Sequence, residues 1–490
     1  MHPFKKFVLS IAMIGLVAGV GACGDDDNGG TTPPPTDNPP EITMTAPSGG
    51  AAVLPGGTVT IAWTATDDNA VTGVDLSYTA DGVAETAITT DAQGATFDWT
   101  TPDETLYGVI IKGVAKDASN QTAEDETTDI FAVVQFSEAG YVTGSACQDC
   151  HPAAYTAVFE QSGHPYKLNK VEGAAPTYPN GQPTLPTPAG TTWDDFSYVI
   201  GGYGWKARFI GTEEFNQGYI YTPAAGENQW NLLPEIWTDY FAGELKPYDC
   251  GQCHTTGWVD SDDGDATNNQ DGLTGFFGTF EEQGISCEQC HGPGVNHVSS
   301  GAALTTDTSD EFCGSCHNRG GINADIPASG GFIRHHEQYN EYQNSAHSAL
   351  IGCNDCHDPH LGTRYDNGGF IESCSTCHPS EAANNAHIPF GTGDEGCITC
   401  HMPQATKSAV AENIYVGDVQ THIFALNPAA VGKDAFFNMD GSLVATPTDG
   451  VTLDFACYQC HVDGDGVGGS NSAKTLEELS AKATGIHTAP

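Results

Sequence analysis

Residues 250–254 read Cys250-Gly-Gln-Cys253-His254, and the same spacing of two cysteines and a histidine recurs seven more times. One copy precedes it, Cys147-Gln-Asp-Cys150-His151. Six follow: Cys287-Glu-Gln-Cys290-His291, Cys313-Gly-Ser-Cys316-His317, Cys353-Asn-Asp-Cys356-His357, Cys374-Ser-Thr-Cys377-His378, Cys397-Ile-Thr-Cys400-His401 and Cys457-Tyr-Gln-Cys460-His461. Two cysteines three apart can bond as thioethers to the two vinyl groups of one haem, and the adjacent histidine then reaches the iron. Zinc or disulfide chemistry also uses CxxC pairs, but neither calls for a histidine after every pair. The motifs therefore predict eight covalently bound haem c groups. His151, His254, His291, His317, His357, His378, His401 and His461 are the expected proximal ligands.

The remaining histidines supply the other axial positions. Of 18 histidines, eight are proximal and His2 lies in the N-terminal leader. Nine remain: His164, His297, His335, His336, His347, His360, His387, His422 and His487. Eight irons need eight distal ligands, and the adjacent pair His335/His336 is the obvious place for the surplus. Methionine offers little competition, since only Met402 and Met439 lie beyond the first motif. The expected ligation is bis-histidine throughout, a low-potential six-coordinate arrangement suited to electron transfer. His164 is expected just after a helix over 153–162, and His347 in a helical stretch before the fifth motif. His297 and His360 sit in short returns after their own motifs.

Composition agrees with a cofactor-filled interior. The chain has 490 residues, 39% of them hydrophobic, with 59 Gly and 28 Pro. So much Gly and Pro leaves little room for a large conventional apolar core. The formal charge of −47, from 63 acids against 16 bases, excludes a nucleic-acid binder, because phosphate recognition needs clustered Lys and Arg. It suits a soluble, salt-adapted surface, or one that steers a basic partner.

The N-terminus reads as an export address. Lys5 and Lys6 precede an apolar run from Phe7 to Val20, too short to span a bilayer but right for a signal. It ends in Val20-Gly21-Ala22-Cys23, which resembles a bacterial lipobox. That resemblance implies cleavage after residue 22 and lipidation at Cys23, with acyl chains holding the protein to a membrane; a plain secretory signal is the other reading. Gly24 rather than an acid follows Cys23, which favours the outer membrane, on its periplasmic or cell-surface face. Residues 23–40, with Asp25-Asp26-Asp27 and a Thr/Pro-rich tract, read as a flexible tether.

Residues 41–136 alternate with period two: Val59/Ile61/Trp63, Val74/Leu76/Tyr78, Phe97/Trp99 and Val109/Ile111, separated by turn signals such as Pro55-Gly56-Gly57 and Asp81-Gly82. Such a series predicts a sandwich. The segment resembles a bacterial immunoglobulin-like domain with Trp63 as core tryptophan. It holds no Cys or His, and its expected job is spacing or docking.

The haem region resembles the multihaem cytochromes of the cytochrome c554 and hydroxylamine-oxidoreductase class. The residues that carry the likeness are Tyr248 to Gly257, Gly284 to His297 and Tyr339 to His360. Phe196 to Ile210, with Val199-Ile-Gly-Gly-Tyr203-Gly-Trp205, resembles the strand-rich insertion of c554-like proteins. The likeness implies haems stacked closely enough for electrons to hop between them. The fold class read from the sequence is therefore multidomain: an immunoglobulin-like β-sandwich, then a loop-rich, mainly α octahaem cytochrome c domain over 141–490, with a strand-rich insertion at about 190–245.

The expected function is electron relay in the periplasm or at the outer membrane surface, in anaerobic or extracellular respiration. Its partners would be other cytochromes or a quinol-linked donor. The alternative is an octahaem oxidoreductase acting on nitrite, hydroxylamine or tetrathionate at one open haem. All eight motifs end in His, whereas ammonia-forming nitrite reductases carry CxxCK, and no catalytic Lys or Tyr is marked by motif. Ca²⁺ is a further candidate ligand at Asp67/Asp68/Asp117, at Asp260/Asp262/Asp263/Asp265 or at Asp463/Asp465, with solvated loops as the alternative.

Overall fold

The computed structural model describes residues 36–48, 50–151, 157–179, 182–261, 268–319, 321, 325–365, 368–383 and 394–487. The leader, Cys23, most of the tether, His387, Asp262, Asp263 and Asp265 lie outside the described residues. Among the described residues, no helix is long and apolar enough to cross a membrane.

Nine strands build the N-terminal unit: β1 (Glu41–Ala46), β2 (Ala52–Val53), β3 (Thr58–Thr66), β4 (Val71–Ala80), β5 (Val83–Ala92), β6 (Thr96–Thr100), β7 (Leu106–Asp117), β8 (Thr122–Glu126) and β9 (Phe131–Val133). One sheet runs β1-β3-β6. The facing sheet runs β2-β9-β7-β4-β5, with β8 also on β7. The alternation explains the layering, because successive side chains in a strand point to opposite faces. Along β3, Val59, Ile61 and Trp63 turn inward and pack on Val74, Leu76, Tyr78, Trp99, Val109 and Ile111. Trp63 is 2% exposed and fills the expected core position. Phe97 packs against this core only half-buried.

The β-unit does not stand apart. Ala132 and Val134 share a buried cluster with Val142 and Ala146 of the first haem-motif helix, and Tyr107, Val295 and Val298 pack against it. Tyr107 Oη also donates to Asp149 Oδ2 at 3.1 Å.

Beyond residue 141 the expectation of a mainly α domain is corrected. The longest described helices, Thr143–Cys150, Asp394–His401 and Leu476–Ala483, have eight residues each. Most others are one turn. Frequent Gly and Pro keep helices from propagating. No helix needs a wide apolar face, because these segments pack around a cavity. The regular element here is an antiparallel meander of five strands: β10 (Leu168–Lys170), β11 (Phe196–Gly201), β12 (Lys206–Gly211), β13 (Gln229–Asn231) and β14 (Ile236–Thr238), hydrogen-bonded in that order. Both its faces are covered. Tyr198, Ile200 and Ile210 pack with Tyr248 and Phe276 on one side, and Phe196, Val199 and Phe209 pack with Leu185 on the other. A second apolar cluster, including Phe332, Ile333, Phe436 and Phe455, braces the C-terminal part.

Candidate functional site

Each motif lies on a helical turn, which extends to two turns in Thr143–Cys150 and Asp394–His401. The histidine N–H returns to the carbonyl of the first cysteine: His151 to Cys147 at 2.9 Å, His317 to Cys313 at 2.9 Å, His357 to Cys353 at 3.0 Å, His378 to Cys374 at 2.9 Å and His461 to Cys457 at 2.8 Å. Residues three and four apart share one face of such a turn, so two thiols and an imidazole project the same way. All sixteen motif cysteines are free thiols rather than disulfides. They line one continuous cavity of about 3680 Å³, together with the eight motif histidines. A pocket for one small ligand spans about 300–1,000 Å³, so this room suits several large ones. The donor set fits haem: paired thiols, an imidazole beside each pair, and largely apolar walls.

The non-motif histidines meet the motif histidines in pairs. Ring centres lie 6.3 Å apart for His151–His297, 6.4 Å for His164–His317 and 6.3 Å for His291–His360. They lie 5.9 Å apart for His347–His378, 6.2 Å for His357–His422 and 5.9 Å for His401–His487. His335 and His336 meet edge to face, ring centres 4.6 Å apart. His336 also lies near His254 and His317. His164 sits past the described helical turn at 157–159.

Orientation of these rings is set by the atom at their back. Nδ1 faces a main-chain carbonyl at His254 (Lys167, 3.1 Å), His401 (Phe424, 2.8 Å), His461 (Ser472, 3.0 Å), His297 (Ala302, 2.8 Å) and His164 (Pro359, 3.2 Å). His360 Nδ1 faces Asp358 Oδ1 at 2.9 Å instead. A donor bond at Nδ1 leaves Nε2 free as the ligating atom. Burial also keeps the rings neutral, the form that binds metal. It lowers His164, His254 and His422 to about 3, and His317 to about 4.

The motifs are themselves neighbours in a series. Cys147 lies beside Cys287, and Cys313 beside Cys353. Cys290 lies near Cys313 and Cys316, Cys356 near Cys377, Cys374 near Cys397, and Cys400 near Cys457 and Cys460. The order in space is thus 147, 287, 313, 353, 374, 397, 457, naming each site by its first cysteine. The Cys250 site branches from the Cys313 site: Cys253 Sγ donates to Ser315 O at 3.7 Å, and Cys316 Sγ to Gln252 O at 3.7 Å.

Carboxylates tie the turns together, buried at Glu288 and Glu341 and half-buried at Asp310 and Asp394. Glu288 accepts the N–H groups of Val142 (2.9 Å), Thr143 (2.9 Å) and Gly294 (2.7 Å), joining the first and third motifs. Asp310 and Asp394 each stand three residues before a motif cysteine and accept the N–H of another motif's cysteine, Cys353 at 2.7 Å and Cys374 at 2.9 Å. Glu341 is fully buried and accepts from Thr406 (3.2 Å), Thr421 (2.8 Å) and the His422 N–H. The acid at position −3, seen in Asp310, Asp394 and Asp454, was the available signal.

The β-unit is more than a spacer, because Asp81, Tyr107, Gly108 and Ile130 form part of the cavity wall beside Cys147 and Cys150. Among the described residues, no three His, Cys, Asp or Glu side chains gather to hold a metal ion; Asp262, Asp263 and Asp265 lie outside them. Asp67 and Asp117 instead cap turns through the N–H groups of Asn69, Ala70, Ser119 and Gln121. Asp463 takes the Tyr415 hydroxyl.

Comparison with known proteins locates similar segments. Residues 40–127 match the bacterial Ig domain family, residues 238–292 the family of cytochrome c554 and c-prime, and residues 368–406 the doubled CXXCH motif family. No curated protein matches the chain. Among solved structures, an undecaheme cytochrome from the S-layer of Carboxydothermus ferrireducens aligns at 17% identity and a TM-score of 0.36, over 56% of this chain and 52% of its own. The fibronectin(III)-like modules of CbhA from Clostridium thermocellum align at 20% identity and a TM-score of 0.15, over 18% of this chain and 44% of theirs. The chain thus spans about half or less of the solved chains it matches.

Proposed function

We propose that this chain, a multihaem c-type cytochrome with an N-terminal immunoglobulin-like domain, carries eight haems with two imidazoles at each iron and relays electrons along them. The observation that carries this reading is the spacing of the six histidine pairs. An imidazole nitrogen binds a first-row metal at about 2 Å, and the ring centre lies about 1 Å behind it, so two rings sharing one iron sit about 6 Å apart. The separations of 5.9–6.4 Å match that span. His335 or His336 would serve opposite His254; His387 lies outside the described residues.

Haem supplies a reversible one-electron iron couple when bound. The protein's part is to hold the sites in series, keep the imidazoles neutral and oriented, and close the positions where a substrate could bind. In this reading the chain is an outer-membrane lipoprotein held at Cys23, receiving electrons from another cytochrome or a quinol-linked donor and delivering them to a further redox protein; the apolar run from Phe7 to Val20 before Cys23 supports it.

The test is the mature, haem-loaded protein. Intact mass should show eight haems, and electron paramagnetic resonance should show low-spin iron throughout, with no cyanide binding. A high-spin signal from one haem in eight that binds cyanide or nitrite would overturn the relay in favour of an oxidoreductase.

A further inference from the structure

The outer face of the β-unit is not free. In β9, Phe131 and Val133 point into the sandwich, so Ala132 between them points out. The outer face of a lone sheet meets water, yet Ala132 is wholly buried. Ala52 lies level with it on β2, where Ala52 pairs with Ala132 and Val53 with Val133. On the other side β7 pairs Leu106 with Val133 and Val109 with Phe131. Tyr107, one residue past the inward Leu106, faces out with Ala132. Ala52, Tyr107, Ala132 and Val134 thus form a shallow apolar platform.

Two helices of the haem region lie on it. Val142 and Ala146 come from the start and middle of the helix Thr143–Cys150, and Val295 and Val298 from the helix Val295–Ser300. The loop before β2 abuts the end of the second helix: Gly50, at φ +61°, lies so close to Ser300 that any side chain there would collide with it. Tyr107 Oη donates to Asp149 Oδ2 at 3.1 Å, and Asp149 stands between the two cysteines of the first motif. Glu288 holds the starts of both helices, through the N–H groups of Val142 and Thr143 on one and of Gly294 on the other.

The first helix ends at His151 and the second carries His297, with ring centres 6.3 Å apart. Both axial imidazoles of the Cys147/Cys150 site therefore hang from the two helices that the β-unit holds. The ring pairs of the other sites are borne by segments outside this cluster. Ligating groups have to stay within about 0.5 Å of their working geometry. A helix of six residues is too short to persist in water without a partner surface, so the platform supplies what the helix lacks.

We infer that the outer β2-β9-β7 face is a clasp for the haem at Cys147 and Cys150: it positions the two helices that bear both axial histidines and so keeps this haem, at one end of the series, six-coordinate. The inference rests on the relay reading, with two imidazoles at this iron. Ala132 and Tyr107 are positioning residues, acting through Ala146, Asp149 and Val298 on the ligands. The β-unit is then a working part of the relay's end station.

The experiment uses the full haem-loaded chain. Ala132→Leu wedges bulk under both helices. It should turn one-eighth of the haem high-spin and able to bind carbon monoxide when reduced, the rest staying low-spin. Combined with His297→Ala it should still open one-eighth, because both changes act on one iron; combined with His360→Ala it should open two-eighths. Ile61→Val, which loosens the sandwich core away from the platform, should open none. The inference fails if Ala132→Leu leaves every haem low-spin, if its pairing with His297→Ala opens two-eighths, or if Ile61→Val opens a haem too. Should Ala132→Leu not take up haem, Tyr107→Phe decides. Losing the bond to Asp149 should shift the low-spin electron paramagnetic resonance signal of one-eighth of the iron, and an unchanged spectrum overturns the inference. An unsubstituted protein that is low-spin throughout leaves the relay standing in each of these cases, whereas a high-spin, nitrite-binding haem in the unsubstituted protein brings down the relay itself.

Discussion

Asp310 Oδ1 accepts the main-chain N–H of Cys353 at 2.7 Å, so the turn that presents one pair of thiols is pinned by an acid from the turn that presents another. Its second oxygen accepts the Tyr342 hydroxyl at 2.8 Å. Hydrogen bonds to a charged group contribute about 1.5–3 kcal/mol each. Asp310→Asn, which keeps the shape and loses the charge, should lower the unfolding free energy of the haem-loaded protein by about 1–3 kcal/mol. It should also alter the magnetic interaction between the Cys313 and Cys353 sites. Denaturant unfolding and electron paramagnetic resonance read the two effects; an unchanged spectrum would mean that the tie does not govern their spacing.

Removing one distal imidazole should open one site alone. His297→Ala and His360→Ala should each turn one-eighth of the haem high-spin and able to bind carbon monoxide. Of His335→Ala and His336→Ala, only one should do so. Carbon monoxide difference spectra of the reduced protein give the stoichiometry directly.

Glu341 should make stability depend on pH. Burial, partly opposed by donors from His422, Thr421 and Thr406, raises its carboxyl to about 7 from 4.5. A folded pKa above the unfolded one means that the folded state holds the proton more tightly. The stabilising contribution is therefore complete below 4.5 and is lost as pH rises through about 7. The thermal midpoint of the loaded protein should fall across that window, and Glu341→Gln, permanently neutral, should flatten the fall.

Cys23→Ser should release the protein. Acyl labelling should vanish, and the haem-staining band should move from the membrane fraction to the soluble one after cell disruption. Persistence in the membrane fraction would mean that another contact anchors the chain.

The attachment residues were legible because their chemistry is local: five consecutive residues contain both thioether positions and the ligand. The sandwich was legible for the same reason, since Val59, Ile61 and Trp63 announce an inward face within five residues. Helical content was overestimated because one-turn helices around a motif resemble the starts of longer ones, and nothing local says that a cofactor replaces the missing apolar stripe. Tyr107 and Asp149 were hidden, each ordinary in its own segment and informative only as a pair.

The single room shared by all the attachment turns bears on how the molecule is made. With about 3680 Å³ standing where other proteins have side chains, the polypeptide should reach its full stability only as ligation fills that room. Each inserted macrocycle becomes part of the wall for the next, and from Cys287 onward spatial order follows the order of synthesis. Maturation should therefore proceed as a zipper from the amino-terminal side, and a failed attachment midway should send the remainder to proteolysis rather than yield a seven-cofactor product.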